Sequence, residues 1–184
     1  MTSILKSTLL AASLSLASVP AVFAQNPTVG GAAMSTNKNI VENAVNSPIH
    51  TTLVAAVKAA GLVDTLASPG PFTVFAPTDA AFAKLPAGTV DTLLKPENKG
   101  QLTKVLTAHV VSGKLSAGQI LARANEMNGR YPMKTVSGDT IVAMPEGQGL
   151  AIMDESGGKT IITIADVDQS NGVIHVVNNV LLPK

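Results

Sequence analysis

Three histidines, His50, His109 and His175, are the side chains of this 184-residue chain that could both exchange protons near neutrality and ligate a metal. They lie far apart in the sequence and fit no compact ligand spacing. The chain has no cysteine, which removes thiol nucleophiles, iron–sulfur and thiolate–zinc ligation, disulfides and a lipid-bearing cysteine. A serine hydrolase would need a nucleophile elbow, and no Gly-x-Ser-x-Gly occurs. Glycine-rich phosphate loops are absent as well. The acidic pairs Asp154-Glu155 and Asp166/Asp168 do not have calcium-loop spacing. The residue inventory therefore predicts no catalytic residues, no metal site and no cofactor. A metal-assisted hydrolase survives as an alternative that rests on the three histidines and scattered carboxylates.

Composition narrows the partners. Hydrophobic residues are 46% and charged residues 14% of the chain, a balance that builds a core rather than a disordered polyelectrolyte. Aromatics are only 3%, too few for base-stacking or sugar-stacking platforms. Formal charge is +1, which offers nucleic acid no basic surface. Residues 1–24 combine one cation (Lys6), an apolar run from Leu9 to Ala17 and a small-residue end at Ala24, the pattern of a secretory signal peptide. Ser13, Ser15, Ser18 and Pro20 interrupt it too often for a spanning helix. Removing that segment takes away Lys6 and leaves 12 basic against 12 acidic residues. The expected location is outside the cytoplasm, periplasmic or extracellular, with no stable membrane insertion of the mature chain.

Residues 25–37 are small and polar and read as a flexible leader, so the domain is expected over residues 38–184. Ile40, Val41, Ala44 and Val45 share one helical stripe, which Ser47-Pro48 ends. Leu53, Val54, Val57 and Ala60 form a second, with Thr51-Thr52 as a hydroxyl N-cap and Gly61 as a left-handed C-cap. Phe72-Thr73-Val74-Phe75 is strand-like between Pro71 and Pro77, and Thr78 or Asp79 caps a short helix whose apolar side is Phe82 and Leu85. A longer stripe joins Leu102, Val105, Leu106 and Val110 with His109 on its shoulder, where the helix dipole favours a protonated imidazole. From Tyr131 the texture turns to short β-branched runs separated by Ser/Gly/Asn/Asp turns. In the last run, Asn171-Gly172 sets a tight turn. Alternation then sends Ile174, Val176, Asn178 and Val180 to one face and Val173, His175, Val177, Asn179 and Leu181 to the other. Two mostly apolar faces mark a central strand. The fold class is α+β: first-half helices packed on a mostly antiparallel sheet or wedge made by the second half plus one early strand. Methionines 127, 133, 144 and 153 read as core gap-fillers, and Asn128-Gly129-Arg130 as a solvated turn.

Two of these stretches resemble the signatures of the fasciclin domain family: GPFTVFAPTDAAF at 70–82 and NGVIHVVNNVLLP at 171–183. TLVAAVKAAGLVDTL at 52–66 and LTAHVVSGKL at 106–115 are similar to its leading helix and its central histidine segment. The resemblance implies an exported adhesion or interaction module binding a cell-surface or matrix protein or polysaccharide, with self-association possible and a small-ligand carrier as the alternative. It implies architectural roles for Pro71, Phe72, Phe75, Pro77, Thr78, Phe82, Asn171, Gly172 and His175. It also implies partner contact through Asp79, His109 and Val110, on a helical face backed by the sheet. The family's central segment often carries a Tyr-His pair, and here the pair is Ala108-His109, so only the histidine carries over.

Overall fold

A computed structural model describes residues 26–184, and the signal-peptide expectation for residues 1–24 lies outside them. A small hairpin, β1 (Thr28–Val29) and β2 (Ala32–Ala33), precedes the helices α1 (Ile40–Asn46), α2 (Thr51–Ala60) and α3 (Val63–Ala67). Strand β3 (Phe72–Pro77), helices α4 (Asp79–Phe82), α5 (Thr89–Leu93) and α6 (Lys99–Thr107), strand β4 (Val110–Ser112) and helix α7 (Ala117–Glu126) follow. The chain ends in β5 (Tyr131–Lys134), β6 (Thr140–Glu146), β7 (Gly149–Met153), β8 (Lys159–Gln169) and β9 (Gly172–Val177).

Seven strands form one sheet in the order β4-β3-β9-β8-β7-β6-β5. Only β3 and β9 run parallel, in register from Phe72↔Gly172 to Pro77↔Val177, so the early strand does join the late ones. An antiparallel bridge between Val111 and Thr135 brings the two ends of the sheet together and curls it almost into a barrel. Near-closure leaves few unpaired edge groups to recruit another chain. Strand β9 is an interior strand, between β3 and β8, and all six of its residues are buried. Its alternation divides two cores as the sequence pattern predicts. Ile174 and Val176 pack with Val74, Ala76 and the helices, while Val177 packs with Phe75, Ile152 and Leu181 inside the curl. Helix α7 plugs that second core with Ile120, 0% exposed, and starts on a capping box between Ser116 and Gln119.

Five sequence expectations change. The stretch 26–37 is packed, not a loose leader: Val29 and Met34 are buried, and Asn26 bonds both backbone groups of Asp168. Helix α1 is rotated from the expected stripe, because Asn43 turns inward to bond Gln169 and the Ser35 carbonyl, leaving Val45 54% exposed. Helix α6 stops at Thr107, and Val110 belongs to β4. The β8–β9 turn is Ser170-Asn171, since Gln169 pairs with Gly172. Gly172 instead allows β3 and β9 to close: a Cβ there would overlap the Phe72 carbonyl oxygen. Of the four methionines, Met133 is buried and Met127 is 48% exposed, so core filling holds for the first and not the second.

Candidate functional site

Asp79 does cap a helix, but not its own. Thr78 caps α4 by accepting the Ala81 N–H at 3.2 Å. The Asp79 carboxylate reaches across to α2, whose first residues have no side-chain cap of their own. It accepts from Thr52 N–H at 2.8 Å, Thr51 Oγ1–H at 2.7 Å and Thr51 N–H at 3.3 Å. Burial alone would raise the Asp79 pKa, but these donors outweigh it and hold the carboxyl below its ordinary value. The Thr51-Thr52 pair is therefore the recipient of a cap rather than its source.

His109 lies at the turn from α6 into β4, 2% exposed. Its Nδ1–H donates to the Val105 carbonyl at 2.8 Å, and Nε2 accepts the Leu181 N–H at 2.8 Å. Burial lowers its pKa to about 4, against the opposing pulls of the Val105 carbonyl and the Asp154 carboxylate. Desolvation thus overrides the helix dipole that favours an imidazolium. Asp154 meanwhile accepts the Leu182 N–H at 2.9 Å, so this pair of side chains ties down the end of the second signature. His109 and Val110 are both inside the fold, and neither side chain reaches a partner of the folded domain. Asp79 is half-buried and remains at the surface.

His175 is fully buried and stacks on Phe75 at 5.6 Å between ring centroids. Its Nε2–H donates to the Leu115 carbonyl at 2.9 Å, and Nδ1 accepts the Asp166 N–H at 3.2 Å. Burial is again the main reason its pKa is lowered. His50, 3% exposed, sits beneath α1 with Nδ1 2.8 Å from Ser47 Oγ. Burial lowers its pKa too, against the nearby Ala76 carbonyl and the Asp79 charge. All three rings are neutral at pH 7, and His109 and His175 have both nitrogens engaged by the backbone. A general base or metal ligand needs a free lone pair, which those two do not offer. Among the described residues no group of three or more His, Asp or Glu is placed to hold a metal ion.

Sequence reasoning named Asn171 as architectural without the bonds its amide makes, and it missed the amides Asn43 and Gln169 altogether. Asn171 accepts the Ile40 N–H with Oδ1 and donates Nδ2–H to the Leu66 and Ser68 carbonyls, fastening α1, α3 and the β8–β9 turn to one side chain. Asn43 and Gln169 do the same between α1 and β8. A buried amide has no periodic signature, since Asn43 reads as the polar side of a stripe. Asn128-Gly129-Arg130 is a turn, with Asn128 at φ 58° and Asn128 and Arg130 exposed.

A helical layer on a curled, mixed seven-stranded sheet, with both signatures meeting in the central β3–β9 pair, defines a class of domain. The fasciclin domain family matches residues 48–183, and the chain belongs to it. It is 48% identical over 159 residues to protein sll1483 of Synechocystis, covering 84% of this chain and 79% of that one. It is 36% identical over 166 residues to the cell surface glycolipoprotein MPB83 of Mycobacterium bovis, covering 87% and 68%. The fold is similar to a FAS1 domain pair from the insect cell adhesion molecule fasciclin I, with a TM-score of 0.70 at 20% identity over 79% of this chain. This chain spans about half of that pair, 51%. Among the described residues no helix is long and apolar enough to cross a membrane.

Proposed function

We propose that the protein is an exported, non-catalytic interaction module that binds a protein or polysaccharide of the cell surface or matrix. Family membership carries this reading, and it is supported by His109 and His175, whose ring nitrogens are committed to internal bonds. The contact face we assign is the exterior where α2 and α4 begin. Asp79 shapes this face by fixing the start of α2, and the exposed side chains of Thr51, Ala80 and Lys84 stand beside it. Buried His109 ties α6 to the C-terminal segment and does not touch the partner.

The test is affinity capture from cell-envelope and matrix extracts, with calcium and with chelator, comparing the parent protein with Ala80→Arg and Thr51→Arg. Loss of capture at unchanged melting temperature is the expected result. Undiminished capture by both variants would remove the assigned face, and reproducible capture of nothing would remove the module reading. A small-ligand carrier is the second reading, favoured by an apolar cavity of ≈ 50 Å³ between the helices and the sheet.

A further inference from the structure

A second cavity, of ≈ 290 Å³, lies between the end of α4, the start of β8 and the chain that leaves β9. It is at the surface, since Lys84, Gly158 and Lys159 on its walls are exposed, and it adjoins the face assigned above, to which Lys84 also belongs. An apolar cavity that admits a benzene ring is about 150 Å³, so this one has room for a six-membered ring with its substituents. Lys84, Lys159, Thr160 and Asn179 give its walls polar side chains, and Leu85 and Val180 give them aliphatic ones. No aromatic side chain is among them, so a neutral sugar would have nothing to stack on.

Lys84 is held in place. Its Nζ donates to the Asn178 carbonyl at 2.7 Å and to Asn179 Oδ1 at 3.0 Å, while Asn179 Nδ2–H donates to the Lys159 carbonyl at 2.9 Å. One amide thus links two walls of the cavity and fixes where the ammonium stands. An ammonium has three N–H donors, so one is left over. Both acceptors are uncharged, and Lys84 is in none of the ion pairs among the described residues, which are Lys104–Asp139, Lys114–Asp168 and Lys159–Glu146. Lys159 differs in this respect, because Glu146 answers its charge at 2.6 Å. The cavity therefore holds one positioned cation without a counter-charge.

We propose that this cavity binds a uronic acid residue of an acidic polysaccharide, with the carboxylate on Lys84 Nζ, hydroxyls toward the polar wall and a C–H face against Leu85 and Val180. The inference rests on the interaction-module reading and names the chemistry of its partner. Charge calls for an anion, and volume separates the candidates. An acidic peptide would reach Lys84 with a thin side chain and leave most of the ≈ 290 Å³ unfilled, whereas a pyranose ring with its substituents occupies it. A single ammonium near water gives a weak, salt-screened contact. A polymer that repeats the same residue, met by several copies of the domain on one surface, multiplies that contact into avidity.

The experiment is titration of the protein at low ionic strength with trimers of galacturonate and of mannuronate, with their methyl esters and with triglutamate. NMR signals of the Asn179 side-chain amide and of the Leu85 and Val180 methyls report location. At least one uronate trimer is expected to bind saturably, to move those signals and to weaken as salt is added. Its methyl ester, which keeps the ring and removes the charge, and triglutamate should each bind about fivefold more weakly or less, and Lys84→Gln should cost the parent trimer a similar factor. Asn179→Asp places a carboxylate against Lys84 in the ligand's stead and should abolish binding, whereas Lys114→Gln, outside the cavity, should leave it unchanged. Melting curves confirm that each variant is folded. Equal binding of the ester or of triglutamate, indifference to both cavity variants, or shifts that bypass the cavity would each overturn the proposal. If neither trimer binds while capture from envelope extracts persists, this inference falls and the module reading stands; if capture fails as well, both fall.

Discussion

His109 donates from Nδ1 and accepts at Nε2, whereas His175 donates from Nε2 and accepts at Nδ1. Opposite tautomers of a neutral ring thus close opposite gaps between a backbone carbonyl and a backbone N–H. Protonation would turn the accepting nitrogen of either ring against an N–H, so the native state resists the proton that the unfolded chain takes up freely. Stability is therefore full above the ordinary histidine pKa of 6.5 and falls with pH down to about 4, where folded His109 also protonates. For His109 alone the loss approaches roughly 3 kcal/mol, because each pH unit crossed between those two values removes about 1.4 kcal/mol. His175 and His50 act in the same direction. Urea unfolding at pH 7, 5.5 and 4 reads this out, and His109→Phe should flatten the slope while costing about 1–3 kcal/mol at pH 7. A slope unchanged by that substitution would place the titration elsewhere. Asp79 acts in a lower window: its depressed pKa contributes stability above the usual carboxylate range, lost as pH falls through the folded value. Asp79→Ala should cost about 1 kcal/mol as the loss of a helix cap. The capping chemistry of Asp79 was legible in the sequence, but its recipient was not, because Thr51 and Thr52 are 28 and 27 residues away. The protonation state of His109 was hidden for a related reason: a local dipole is visible in sequence, whereas burial is a property of the assembled fold.

Elements were legible where their period survives assembly. The alternation of β9 is strict because both its faces are buried, so each side chain's address follows from its parity. Helix α1 departs from its stripe because one inward amide outweighs a weak row of small apolar groups, and β4 merges with α6 in the sequence because three residues carry no period of their own. Glycines illustrate the same limit with opposite signs. Gly172 has no positive φ to explain it, yet a Cβ would meet the Phe72 backbone, so Gly172→Ala should wedge β3 from β9 and cost about 3 kcal/mol. Gly100 lies in α6 with nothing within 4 Å of its would-be Cβ, so Gly100→Ala should stabilise by about 0.5 kcal/mol. Thermal melts of the two variants side by side check both; equal shifts would show that backbone approach at β3–β9 is not the constraint.

At the scale of the molecule, the two signatures made the fold class readable, because they are the two strands that meet at its centre. Closure of the sheet was not readable, since the Val111–Thr135 bridge depends on a curl that no local preference encodes. Nor was the packing of residues 26–37. The family match starts at residue 48, and composition alone makes residues 25–37 look expendable, yet the structure uses most of that stretch as a wall. Asn26 satisfies the Asp168 carbonyl and N–H at 2.7 Å each, acting as a neighbouring strand would. Val29 and Met34 close the apolar cavity beneath α1, and Ser35 holds the Asn43 amide. Deleting residues 26–37 removes two buried side chains, Val29 and Met34, worth about 1.5–3 kcal/mol each on burial. It also removes the partners of the half-buried Asp168 backbone and of the buried Asn43 amide. At about 2–4 °C per kcal/mol for a domain this size, the melting temperature should fall by about 10 °C. Binding of a dye that senses exposed apolar surface should rise below the transition, because the same deletion opens the apolar cavity between the helices and the sheet. A dispensable leader would leave both readouts where they were. A lower melting temperature without added dye binding would mean that α1 settles over the gap, restoring the wall with Val41 and Ala44 in place of the lost arm.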